Sequence, residues 1–197
     1  MAGEANAAEF EGAAYTSNYR AARGLDPSDR VTGGIFMPKP EKIRPGSTIF
    51  RFGDTGKALD ADRYGRWWLA RETLELLAEH AGDAESLVWI ARQHLAVPPP
   101  PRGFSALNRM FTADVKLPLR AFGGVGGLVF EDIPGADGAD ARTVAWPGGA
   151  ELTGTPRDRT MKRQLFIPGL QRVPSAVDFR PVQTVADWMA ALRGGAG

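Results

Sequence analysis

The sequence predicts an α+β domain with a mostly antiparallel sheet. Three observations lead there. Two short aromatic and β-branched runs, TIFRF at 48–52 and YGRWWL at 64–69, have strand character and flank a Gly/Asp-rich loop. Two stretches of helical spacing follow, at 70–81 and 87–95. After them Gly and Pro gather among several short apolar runs, the pattern of brief strands and turns. Strands, then helices, then strands again describe α+β rather than alternating βαβ units.

A chain of 197 residues is long enough for one domain with a real core. Apolar residues make up 43% and charged residues 24%, as in ordinary globular proteins. A formal net charge of +1 supplies no long-range attraction to nucleic acid or to an anionic membrane. No apolar run approaches the roughly 20 residues of a membrane span. The opening MAGEANAAEFEGAAY has neither the basic region nor the apolar centre of a secretory signal. Cysteine is absent, which excludes disulfides and thiolate metal sites. His80 and His94 are the only imidazoles, so no metal is expected.

In chain order, residues 1–14 are expected to fray, and 1–46 as a whole reads as an irregular arm. Within it, 26–29 (DPSD) is a turn or a helix start, and 33–38 (GGIFMP) is an apolar insert between breakers. The arm either hugs the surface or binds a partner. The domain proper is placed at 47–193. Its first strand is 48–52, its loop 53–62, its second strand 64–69. Leu74, Leu77, Ala78 and Ala81 share one face of the helix expected at 70–81. Gly82 stops that helix and Asp83 caps the next, which four prolines at 98–101 end. His80 and His94 read as ordinary helix residues. Residues 104–119 mix helical and strand signals: Ser105 caps one turn and DVKL at 114–117 alternates like a strand.

The run GGVGG at 123–127 has neither the Gly-Lys-Ser/Thr of a P-loop nor the helix-opening spacing of a dinucleotide fold. It reads as a turn between strands, or as a place where backbone comes close to backbone or ligand. Further strands are expected at 128–130, 143–146 and 162–167, with turn-rich loops at 134–141 and 152–159. A last amphipathic helix spans 185–192, capped by Thr184, and 194–197 is a frayed tail.

Arg51 and Arg66 stand out because each puts a permanent cation inside an apolar run, where a guanidinium needs a partner. Either an acid of the same chain meets each one, or an anionic ligand does. Trp67 and Trp68 are adjacent, so on a strand they face opposite ways. Neither the G-x-S-x-G elbow nor the H-E-x-x-H metal motif is present. The 23 acids are scattered and single out no glycosidase pair.

The pieces FRFG at 50–53, GRW at 65–67, WPGG at 146–149 and RQLFIP at 163–168 occur in an order that resembles the ADP-ribosyltransferase-like NAD-using toxin domains. The tuberculosis necrotizing toxin family of NAD glycohydrolases is the nearest in pattern, and the resemblance covers roughly 48–170. It implies an ADP-ribosyltransferase-like split sheet with helices inserted after the first two strands. It implies NAD as substrate and no metal. Arg51 would then contact the dinucleotide phosphates, with Phe52, Arg66 and Trp67 completing the NAD site. Gln164, with Arg51, would be catalytic beside the nicotinamide–ribose bond. The chemistry is coherent: a guanidinium fork suits a pyrophosphate, and an oxocarbenium-like state needs orientation and a polar group near the ribose.

The resemblance further implies a bacterial effector toxin, an NAD glycohydrolase or ADP-ribosyltransferase. Such a protein is cytoplasmic, or exported by a signal-peptide-independent system. Its N-terminal arm would bind a chaperone, delivery or immunity protein. The other class of function left open is a non-enzymatic subunit of a phage-like or injection assembly, with Arg51 in an internal ion pair and Gln164 facing solvent.

Overall fold

The computed structural model describes residues 3–25, 31–32, 34–95, 97, 105–133, 142–146 and 163–194. The fold is α+β, and every strand pair among the described residues is antiparallel. A 3-10 turn, Ala7–Phe10, opens the chain and leads into α1 (Gly12–Ala22), β1 (Val31–Thr32) and β2 (Lys39–Ile43). Then come β3 (Thr48–Gly53), α2 (Leu59–Arg63), β4 (Trp67–Ala70), α3 (Arg71–Glu79) and α4 (Ala84–Leu95). The second half supplies β5 (Arg109–Val115), β6 (Leu119–Val125), β7 (Val129–Ile133), β8 (Arg142–Trp146), β9 (Arg163–Phe166), β10 (Val177–Phe179), β11 (Gln183–Thr184) and α5 (Val185–Gly194). The large sheet runs β10-β5-β3-β4-β9-β6-β2, with β11 also on β5, and β1-β7-β8 form a small second sheet.

The large sheet is curled. Ile43 of β2 and Ile49 of β3 share one apolar cluster although three strands separate them in the sheet. Residues 44–47 make the direct connection, turning at Gly46, whose φ of 85° favours glycine. Register assigns the two faces. Phe50 pairs with Leu69, Leu69 with Gln164, and Gln164 with Gly124, so these four share a face. Leu74, Leu77, Leu87 and Trp188 from α3, α4 and α5 cover Phe50 and Leu69. Farther along that face, Phe122 and Phe166 lie under Phe10 and the α1 residues Ala21 and Ala22. The other face holds Ile49, Trp68, Phe111, Ala121 and Leu165, closed on themselves inside the curl. Trp68, Phe111, Phe122 and Phe166 are essentially inaccessible, each contributing about 1.5–3 kcal/mol of apolar burial or somewhat more.

Helix boundaries follow their caps. Asp83 and Ser86 exchange side-chain and backbone hydrogen bonds at the start of α4 (2.8 and 2.9 Å), and the Thr184 hydroxyl accepts the Asp187 N–H at α5 (3.1 Å).

The N-terminal segment departs from the expected irregular arm. Residues 7–10 and 12–22 are helical, and β2 pairs along its whole length with β6. Asn6 is buried rather than frayed: its amide donates to the Arg120 and Pro168 carbonyls (2.9 and 3.0 Å) and accepts the Arg120 N–H (2.8 Å). The Phe10 ring packs tilted against Phe122, with centroids 4.7 Å apart. The strand was hard to read because KPEKI is an edge sequence, where Lys and Pro are tolerated and only one face is apolar.

Other corrections are local. Residues 59–63 form α2 inside the expected loop, and the second strand begins at Trp67, not Tyr64. Ser105 does not open a helical turn. Gly123 and Gly124 lie within β6, while Gly126 and Gly127 belong to the connection to β7, so the run is part strand, with close approaches, and part link between strands. A Cβ on Gly126 would sit 2.5 Å from the His94 carbonyl oxygen. Beyond the strand at 163–166, β10 and β11 add to the sheet at β5. The prolines at 98–101, the loops 134–141 and 152–159, the glycines of WPGG and the last three residues of the tail lie outside the described residues.

Candidate functional site

Arg51 lies on the self-closed face of the sheet and is only 15% exposed in its side chain. Its Nε donates to the Asp62 carbonyl (2.8 Å), one Nη to the Trp67 carbonyl (3.0 Å), and the other Nη to the Asp62 carboxylate (3.2 Å). Burial pulls the guanidinium below its ordinary pKa, and the Asp62 charge opposes that shift. Asp62 is itself 1% exposed; it accepts the Asp54 N–H (2.7 Å) and approaches Arg109 at 3.5 Å. The chain's own acid therefore fills the place expected for a pyrophosphate. The glycines of the FRFG and GRW pieces belong to this pair. A side chain on Gly53 would strike the Asp62 carboxylate, and one on Gly65 the Arg51 guanidinium.

Gln164 lies on the opposite face. It pairs with Leu69 and Gly124, whereas Arg51 alternates with Phe50 and Phe52 along β3. The two residues expected to share a hollow are on different sides of the sheet, because the strand period of two fixes each of them. Gln164 is 5% exposed, so it does not face solvent, and among the described residues its amide nitrogen has no hydrogen-bond partner. Phe52 is core, packed with Leu74 and Leu107. Trp67 is half-buried and packs edge-on to Phe166 at 5.1 Å. Arg66 is exposed and lies 5.2 Å from the centre of the Phe166 ring.

A cleft of about 660 Å³ opens elsewhere, between the lips formed by β2 and β3. None of Arg51, Phe52, Arg66, Trp67 and Gln164 lines it. Its floor is Ile43, Ile49 and Leu165, and Glu41, Lys42, Arg44, Arg71, Glu72 and Arg163 line its rim. The Lys42 ammonium is paired with Glu4, and the Arg71 guanidinium with Glu75 beside the Phe50 ring. The start of α3 also borders it. Ala70 precedes that helix without a side-chain cap, so the cleft borders the positive end of its dipole. Arg163 donates to Glu41 at 2.7 Å, and its backbone N–H donates to the Thr73 hydroxyl (3.2 Å). Burial pushes the Glu41 carboxyl above the usual carboxylate range, and Arg163 opposes the shift.

Residue-by-residue reading missed this site because its parts are spread over five elements, β2, β3, β4, α3 and β9, and the 44–47 connection. Two signals were present. Lys42 and Arg44 flank the apolar strand residue Ile43, and Arg71 is a cation in the first turn of a helix, where the dipole disfavours it. Among the described residues no group of His, Asp and Glu is arranged to hold a metal ion, and no helix is long and apolar enough to cross a membrane. Comparison with known proteins finds no matching family model, no similar curated protein and no similar solved structure.

Proposed function

We propose that this chain is a ligand-binding domain whose β2–β3 cleft takes a small organic phosphate of nucleotide or dinucleotide size. One observation carries the proposal: a concave site with an apolar floor, rimmed by Arg44 and Arg163 together with Glu41 and Glu72, beside a helix start that has no side-chain cap. The volume lies within the range of small-molecule sites, and N–H groups at a helix start together with arginines are the usual means of holding phosphate. NAD is the member of the class that the sequence resemblance nominates. It would have to use this cleft, since Arg51 is neutralised and Gln164 lies across the sheet. Glu41 and Glu72 are the carboxylates that line the cleft.

Calorimetric titration with ADP, NAD and inorganic pyrophosphate tests this. Saturable binding that weakens with salt and is lost in Arg163→Gln is expected. Nicotinamide release from bound NAD would extend the function to cleavage. Titrations flat with all three ligands at low salt, for the natural chain and for Glu41→Gln alike, would end the proposal.

A second reading, an interaction subunit, draws on Phe36 and Met37, which are 53% and 65% exposed. Met37 holds a positive φ of 49°, a conformation rare for such a side chain. Light scattering at rising concentration tests self-association through this pair; a mass unchanged from the monomer, and unaffected by Phe36→Ser, counts against it.

A further inference from the structure

We propose that Glu41 is a built-in placeholder for the ligand's anion: its carboxylate occupies Arg163 in the empty cleft, and an incoming phosphate takes over Arg163 by displacing it. The placeholder rests on the anionic-ligand reading of the cleft and adds the residue that sets its affinity.

The geometry comes from β6. Gly123 pairs directly with Lys39 on one side and Leu165 on the other. Glu41 and Arg163 are each one diagonal step from it, and they join across the space where Gly123 has no side chain. A Cβ there would meet the Glu41 carboxylate and stand 2.8 Å from an Arg163 nitrogen. A glycine in a strand interior weakens the strand, so its presence fits a need for room. The pair is also built to separate. Among the described residues the two side chains make no other hydrogen bond, and they are 26% and 39% exposed. Arg51, by contrast, is held by two backbone carbonyls that have no freedom to leave. Glu41 is desolvated where it sits and regains water when it swings out.

Calorimetry of the full chain with inorganic pyrophosphate, at pH 8 and low salt, tests the placeholder. Glu41→Gln should tighten binding by about tenfold, since the competing charge is removed and the shape is kept. Arg163→Gln should lose binding, and the double variant should not recover it. Glu72→Gln, also in the cleft but not on Arg163, should tighten binding by less than about threefold through general charge alone. Binding by Glu41→Gln where the natural chain shows none also supports the placeholder. Equal tightening by Glu72→Gln overturns it, as does unchanged or weaker binding by Glu41→Gln. In those two cases loss in Arg163→Gln still leaves the cleft proposal standing. No binding by any variant, or binding indifferent to Arg163, removes the cleft proposal and the placeholder together. Melting curves confirm the fold; if Glu41→Gln fails to fold, Glu41→Asp, one methylene too short to span Gly123, should tighten binding in the same direction.

Discussion

Two arginine–carboxylate pairs lie on the same face of the same sheet and do different things. Arg51 and Asp62 are 15% and 1% exposed, and backbone carbonyls complete the guanidinium's partners. Arg163 and Glu41 are 39% and 26% exposed, share one hydrogen bond, and border open space. The first pair is structural because no partner can leave without stranding a buried charge. The second is the pair proposed to exchange its partner, because it is partly exposed and lines the cleft. An arginine inside an apolar run therefore does not announce a ligand; its competitors for the fork decide.

The largest effect that would break this contrast is at Asp62. Asp62→Asn should destabilise the fold by about 3–5 kcal/mol, since Arg51 stays buried without its counter-charge. Urea denaturation measures it, and a loss below about 1 kcal/mol would put the two pairs in one class. Next is Gly65→Ala, which drives a methyl into the Arg51 guanidinium and should cost about 1–3 kcal/mol by the same assay. Arg163→Gln should change stability by less than about 1 kcal/mol while pyrophosphate binding disappears. A stability loss as large as that of Asp62→Asn would make Arg163 structural too.

The smallest effect is with acid. Hydrogen bonds from the Ala106 and Gly56 N–H groups hold Asp54 below the ordinary carboxylate range, and Arg180 does the same for Asp114. Folded values below unfolded ones mean stability that is fully present above about pH 4 and lost as pH falls through the folded pKa. Denaturation midpoints between pH 5 and pH 2 should fall, and less steeply in Asp114→Asn.

The strand at 48–53, the helices at 71–79 and 84–95, and the capped helix from Val185 were legible because period and caps are local properties. β2 was not, since an edge strand shows the sheet only one face and its KPEKI composition resembles a loop. β10 and β11 were too short to carry a period. At the site, Arg51 was correctly singled out as needing an anion, and both possible anions were kept open. That Asp62 supplies it depends on α2 folding back over β3.

What the residues determined alone is the α+β class, the capped helices and the demand of each buried cation for a partner. These follow from spacing and from the energy of charge in apolar surroundings, which need no knowledge of neighbours. Tertiary structure decided which carboxylate meets which arginine, which face Gln164 takes, and where the cleft lies. Those depend on strand register and on the curl that brings β2 beside β3, and pairings between distant strands leave no trace in local sequence.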